Sequence, residues 1–515
     1  MFDDAEETLP DGFGLREATI PQLQAAMGSG RLSSAALVDE YLSRIQRLDR
    51  DGPRLHSVLE VNPDAREIAA DLDQERRKRG PRGPLHGIPI LLKDNIDTRD
   101  RMMTTAGSLA LVGEPALEDA TVASRLRRAG AVLLGKTNLS EWANFRSTHS
   151  ASGWSGRGQL CRNPYVLDRN PGGSSSGSAV ATAANLCAAS IGTETDGSIV
   201  SPANNNGVVG IKPTVGLVSR AGVVPISHSQ DSVGPHARTV ADAAVLLGAL
   251  VGLDPRDPAT DGSLGRLATD YTKFLDPGGL RGARIGVPRT SGFGYSHASD
   301  SVLEAALGVM RDAGATIVDP ANIPNADQFG GELELTVLLF EFKHDLNAYL
   351  ATRRGVPIQS LADAIAFNEA HAAEELEWFG QELFVRAQAT TDLDDPTYLH
   401  ALARSHRLSR ELGIDAIMKQ FGLDALVAPG GGPAWLTDLV TGDRLISSSS
   451  TPAAQAGYPL VSVPAGYCRG LPVNITFSGG AFAEPTLIRL AYAFEQATRV
   501  RQPPNFLPTI PLPAS

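Results

Sequence analysis

The sequence predicts an α/β layered fold built on a largely parallel or mixed sheet. A helix-forming stretch, a glycine and a short apolar strand follow one another at 119–135, and the same order returns at 302–319. The run Gly-Ile-Pro-Ile-Leu-Leu (87–92) is too short for a helix and reads as a buried strand. Toward the end, Ala-Leu-Val-Ala-Pro (425–429) and Leu-Pro-Val-Asn-Ile-Thr-Phe (471–477) add further short apolar strands. Helices alternating with dry strands are what a sheet covered by helices requires.

In chain order, residues 18–79 predict two or three helices. Ala36, Leu37, Tyr41, Leu42 and Ile45 recur at helical spacing, and Asp64 to Arg79 is charged and helix-prone. The strand at 87–92 delivers Lys93 at its end. Asp119 is placed to cap a helix carrying Val122, Leu126 and Ala129, which Gly130 stops before the strand Ala-Val-Leu-Leu-Gly. The Gly/Ser loop Pro171 to Gly177 leads into an Ala-rich helix from Ala179 to Ala189. Val302 to Ala313 is helical, Gly314 stops it, and Ala-Thr-Ile-Val-Asp follows as a strand. Residues 332–413 are mostly helical, with few glycines and many charges, and read as an insertion or cap. The chain returns to the core at 450–500. A tail with prolines at 503, 504, 508, 511 and 513 is expected to lie extended on the surface. No low-complexity linker separates these segments, so residues 1–515 read as one large domain.

Composition narrows the function. A hydrophobic content of 42% supplies a large core, and a net charge of −12 argues against a nucleic-acid partner, which needs a basic face. Cys161, Cys187 and Cys468 are odd in number and lack CxxC or Cys/His spacing, so neither a disulfide framework nor a zinc site is expected. No apolar run reaches the roughly 18 residues of a membrane span. The acidic start, Met1 to Glu7, has no hydrophobic signal core. These features predict a cytoplasmic protein, or a secreted or periplasmic one if a signal peptide has been removed. No metal and no cofactor is expected.

The chemistry gathers at Lys93, Ser174 and Ser198. Ser198 follows Thr195, Asp196 and Gly197 in a tight turn whose consecutive backbone N–H groups can converge on an oxyanion, although an Asp-Gly turn beside a surface serine has the same letters. Ser174 lies in Gly-Gly-Ser-Ser-Ser-Gly, where glycines permit close backbone approach. A P-loop would need Gly-Lys-Ser/Thr, which is absent. Gly173 to Gly177 also matches G-x-S-x-G with Ser175 at its centre, but that elbow must follow a buried strand, and a loop precedes it here. A Lys-Asp pair is ordinarily a surface ion pair; the five residues before Lys93 are all apolar or proline, and burial lowers a lysine pKa into the range of a neutral base. His86, His149, His228 and His236 sit in no motif and read as structural or binding groups.

Together these segments resemble the amidase signature family over nearly the whole chain. The match takes in Leu85 to Ile96, Gly135 to Trp142, the Gly/Ser loop, Gly207 to Ser219, Ser229 to Pro235 and Gly457 to Gly466, with the two serines 24 residues apart. The resemblance implies a single α/β/α domain around a twisted mixed sheet. It implies Ser198 as acyl-enzyme nucleophile, Ser174 as a bridging serine after a cis peptide bond, and Lys93 as the base. The amides of Thr195, Asp196, Gly197 and Ser198 would form the oxyanion hole, and Ser175 would support Lys93. Two departures stand out: Glu194-Thr-Asp-Gly-Ser replaces the commoner Asp-Thr-Gly-Gly-Ser, and Val200 occupies the usual arginine position, which weakens recognition of an acidic substrate. Within the family, residues 192–200, Ser152-Gly-Trp-Ser and 341–349 look most like bacterial peptide amidases, which remove C-terminal amides. A small-molecule or peptide amide is therefore the expected substrate. The alternatives are a broad aryl-acyl or aliphatic amidase with esterase activity, and the glutamine-amidotransferase subunit of a tRNA-dependent complex. The aromatics Trp142, Phe145 and Trp154 either line a substrate groove or pack in the core.

Overall fold

The computed structural model describes residues 14–444 and 448–511; the Met1–Glu7 stretch and Pro513 lie outside them. Eleven strands form one mixed sheet among the described residues. They are β1 (Val58–Val61), β2 (Pro89–Lys93), β3 (Val132–Thr137), β4 (Ala189–Glu194), β5 (Val209–Lys212), β6 (Ser232–Ala237), β7 (Arg284–Gly286), β8 (Thr316–Val318), β9 (Ala425–Pro429), β10 (Leu460–Cys468) and β11 (Leu471–Ser478). Their order across the sheet is β1-β3-β2-β4-β6-β5-β10-β11-β9-β7-β8. β2 pairs in parallel with β3 and β4 on its two sides, and β7 likewise with β8 and β9. The remaining pairings are antiparallel.

Every residue of β2, β3, β4 and β6 is buried; for β2, parallel to both its neighbours, the continuous apolar run anticipates this. Helices flank the sheet, among them Ser176–Ala183 against β4, Val240–Leu250 against β6 and Glu484–Thr498 against β10. Parallel pairing aligns the carboxyl ends of β2, β3 and β4, so Lys93, Thr137 and Glu194 reach the same edge. In open α/β sheets that edge is where ligands bind.

The structure corrects several expectations. Asp119 does not cap the helix that follows. The helix is Thr121–Arg128, its N-cap is Ala120, and the Asp119 carboxylate instead accepts hydrogen bonds from Arg99 N (2.7 Å) and Arg127 Nε (3.1 Å). The Ala-rich helix spans Ser176–Ala183, not Ala179–Ala189: Asn185 adopts a left-handed φ of 56° that ends it, and Ala189 already belongs to β4. The N-terminal region contains the strand β1 as well as helices; four residues at a sheet edge carry too short a pattern to register. Phe506 and Leu507 donate backbone N–H groups to Pro164 and Tyr165, which seats the proline-rich tail against the body. No helix among the described residues is long and apolar enough to cross a membrane.

Between β8 and β9 lie the helices Gly331–Leu350, Leu361–Ala370, Ala372–Glu375, Glu382–Gln388 and Pro396–Ser409. The aromatic segment fastens them to the rest of the chain and is core. Trp142 meets Phe384 edge-on at 5.5 Å, Phe145 meets Phe342 at 4.9 Å, and Trp154 meets Phe379 at 5.2 Å between ring centres. All three are buried in apolar clusters with insertion residues, so they are not free to wall a groove.

Candidate active site

β2 is dry along its length and ends in Lys93, whose side chain is 0% exposed. Its Nζ donates to Ser174 Oγ (2.8 Å), Thr193 Oγ1 (2.8 Å) and the Thr193 carbonyl (3.3 Å). Asn95 Nδ2 donates to the same Thr193 hydroxyl at 3.0 Å. Burial pushes the Lys93 amine down to about 7, against the opposing pull of the Asp231 and Glu194 carboxylates. Thr193 stands in no motif of the sequence. Its signal is its place on the strand beside β2, two residues before the turn.

The Gly/Ser loop is held by both main-chain and side-chain bonds. Gly172 N donates to Asn170 Oδ1 (2.7 Å), Ser140 N to the Ser174 carbonyl (3.1 Å), and Ser176 Oγ to the Gly172 carbonyl (2.6 Å). The Gly173–Ser174 peptide bond is cis. Ser175 does not bond Lys93. Its hydroxyl donates to the Thr193 carbonyl (2.9 Å) and accepts from Thr193 N (3.2 Å), so it braces the residue that Lys93 touches. That double engagement inside the protein also leaves Ser175 unsuited to an exposed elbow. Gly177 is pressed against the chain: a Cβ there would stand 2.3 Å from the Ser57 carbonyl and 2.6 Å from that of Asn138. Gly177→Ala is therefore expected to destabilise the fold by about 1–3 kcal/mol or more, as read by urea denaturation, and to lower activity by displacing the loop.

Ser175 N donates to the Ser198 carbonyl at 3.1 Å, which joins the loop to the second serine. Ser198 is 8% exposed, and its hydroxyl has no hydrogen-bond partner among the described residues. Three side chains fix the turn before it. Thr195 Oγ1 donates to Asp231 Oδ1 at 2.5 Å, Ser450 Oγ donates to Asp196, and Thr451 Oγ1 donates to Asp196 Oδ2 at 2.7 Å. Gly197 has φ 79°, the left-handed conformation that favours glycine. Beyond Ser198, Glu194 Oε2 accepts from Ile199 N (2.6 Å) and Val200 N (2.9 Å) at the start of the helix Val200–Asn205. With the turn pinned from both sides, the N–H groups of Asp196, Gly197 and Ser198 donate no hydrogen bond among the described residues.

The surroundings are acidic. Glu334 accepts from Gln230 Nε2 (2.9 Å), and burial, reinforced by the nearby Asp196 carboxylate, pushes it up to about 8. Val200 packs in an apolar cluster with Ala321, Ile323 and Leu426. No histidine meets either serine among the described residues. His236 is buried against the Ile199 carbonyl (2.9 Å) and pushed down to about 4 by burial; His86 bonds the Leu72 carbonyl, and His149 is exposed. Sequence spacing offers no metal cluster, yet folding brings ligand atoms of His228, Glu341 and Asp345 within 4.8 Å of one another. Glu341 already accepts from Ser229 N (3.1 Å), Ser229 Oγ (2.9 Å) and Tyr398 OH (2.8 Å), so its oxygens serve as hydrogen-bond acceptors.

The sequence profile of the Amidase family matches residues 36–488. The chain belongs to the amidase family. This amidase superposes on the native peptide amidase of Stenotrophomonas maltophilia with a TM-score of 0.91 and 53% identity, covering 95% of this chain and 99% of that one. It is 47% identical over 508 residues to a probable amidase of Arabidopsis thaliana, covering 97% of this chain and 93% of the relative. It is also 37% identical to a glutamyl-tRNA(Gln) amidotransferase subunit of Halorhodospira halophila, covering 94% of this chain and 98% of that relative. Family membership makes the amidase an enzyme that hydrolyses linear amides.

Proposed function

We propose that this amidase releases ammonia from the C-terminal amides of peptides or amino acids through a Ser198–Ser174–Lys93 relay. Ser198 Oγ attacks the amide carbonyl carbon while its proton passes to Ser174, whose own proton passes to the neutral Lys93 amine. The amides of Thr195, Asp196, Gly197 and Ser198 receive the oxyanion. Collapse breaks the C–N bond, the departing nitrogen takes the proton back through Ser174, and ammonia leaves. Water then attacks the acyl-enzyme, returns a proton to Ser198 along the same path and yields the acid. The observation that carries this reading is the 2.8 Å contact between Ser174 and a fully buried lysine whose amine burial pushes down to about 7, within reach of the neutral form. The relay needs no cofactor, so prolonged chelation is expected to leave the rate unchanged. A fluorophosphonate is expected to label Ser198 alone, read by peptide mass mapping; labelling elsewhere, or loss of rate with a chelator, contradicts the assignment.

Substrate choice rests on the walls. Val200 in the usual arginine position packs in an apolar cluster and leaves no cation there to meet a substrate carboxylate near the reacting amide. A neutral peptide amide suits such walls, and the likeness to a peptide amidase supports it. Fast ammonia release from N-blocked dipeptide amides is expected, with the internal peptide bond spared. Equal or faster hydrolysis of bulky anilides would instead assign the broad aryl-acyl or aliphatic activity. The amidotransferase relative sustains a second reading, that of one component in a tRNA-dependent complex. Co-purification with further subunits and glutamine-dependent ammonia release would establish it over the first.

A further inference from the structure

Asp231 joins three parts of the molecule. One carboxylate oxygen accepts from Thr195 Oγ1 in the turn before Ser198, and the other accepts from Ile226 N (2.8 Å) and Ser227 N (3.0 Å) in its own loop. That loop is gripped residue by residue by one face of the helix Gly331–Leu350. Ser227 and Ser229 donate to Glu341, His228 Nδ1 lies 2.8 Å from Asp345 Oδ2, and Gln230 donates to Glu334. Positions 334, 341 and 345 are spaced to share a helix face. Asp231 also borders a cavity of about 570 Å³ that neither Lys93, Ser174 nor Ser198 lines.

We propose that Asp231 is a positioning residue for amide hydrolysis: through Thr195 it fixes the turn that presents Ser198, and the helix Gly331–Leu350 fixes Asp231 in turn. The inference rests on the relay proposed above. A hydroxyl-to-carboxylate bond is roughly twice as strong as a neutral one, and it acts on Thr195, the first residue of the oxyanion turn. Asp231 also bears on the base. The acidic groups acting on Lys93 are Asp231 and Glu194, with His236 as the basic neighbour. Arg220 faces Asp231, but its guanidinium is taken up by Asp257 through bonds of 2.8 and 2.6 Å. Removing the charge at 231 therefore makes the Lys93 ammonium less favourable, and its proton leaves at lower pH.

The test uses Asp231→Asn, Thr195→Val, Thr195→Ser and the double variant D231N/T195V, assayed for ammonia release from an N-blocked dipeptide amide across pH. D231N and T195V are each expected to lose on the order of 10–10²-fold in kcat, the scale of a small misplacement at a reacting centre. KM should change little, and the double variant should lose no more than the worse single one. T195S, which keeps the hydroxyl, should retain most of the rate. The acidic limb of kcat/KM should move to lower pH in D231N and stay in place in T195V, a split that a general loosening of the fold would not produce. Fully additive losses, equal rates for T195V and T195S, or a D231N limb that does not move would each overturn the proposal. If D231N cannot be purified folded, the Thr195 pair decides alone. Normal fluorophosphonate labelling of Ser198 in the parent enzyme with unchanged variants faults Asp231, whereas no labelling in the parent removes the relay and this proposal with it.

Discussion

Ser198→Ala is expected to lower kcat by about 10⁴-fold or more, the scale for a residue that acts as one unit with its partners. The reason lies in what remains. Ser174 and Ser175 are fully buried and engaged, Ser174 with Lys93 and Ser175 with Thr193, so neither hydroxyl can replace that of Ser198, which is 8% exposed. Ser174→Ala should be nearly as harmful, because among the described residues it removes one of the two hydroxyls, with Thr193 Oγ1, bonded to Lys93 Nζ. The losses should not multiply when S198A and S174A are combined. Steady-state ammonia release checks this, with circular dichroism to confirm folding. A Ser175→Ala variant more damaged than S198A would place the nucleophile at 175 instead.

Lys93→Ala is expected to cost a similar factor and, in addition, to change the shape of the pH profile. Only the neutral amine accepts a proton, and burial holds that amine near 7 instead of the usual value of about 10.4. In the parent enzyme kcat/KM should therefore rise with pH through an ionisation near 7 and level off above it. In Lys93→Ala the residual rate should lose that limb. A limb that survives the substitution with appreciable rate would give the role of base to another group. His228 is the histidine to test first, since it faces the Glu341 and Asp345 carboxylates of the helix Gly331–Leu350.

Lys93 was legible because its burial is written locally: a run of apolar residues carries it inward and then stops. The two serines were legible through loops whose glycines have few other uses. What escaped was set by pairing across the chain. Thr193 meets Lys93 and Asp231 meets Thr195 only after distant segments fold together, and the His228–Glu341–Asp345 contact needs an insertion folded back onto a loop. The aromatics Trp142, Phe145 and Trp154 carry identical letters whether they wall a cleft or fill a core; only Phe342, Phe379 and Phe384 decide. Asp119 failed as a cap because an arginine competed for its carboxylate, which no local pattern records.

The order of strands has a consequence for synthesis. β10 and β11 stand between β5 and β9, so a late-made hairpin joins the wing of the sheet that holds Lys93 and Ser198 to the wing that ends in β8. A nascent chain that has reached Val440 contains both wings and lacks the seam. Until Leu460–Ser478 leaves the ribosome, the fully buried strand β5 presents an open, apolar edge, and β9 another. Such edges template pairing with other chains, and that of β5 stays open until the hairpin is made near the end of the chain. Truncation upstream of Leu460 should thus yield an aggregating fragment in need of chaperones, and catalytic competence should arrive only with the last strands.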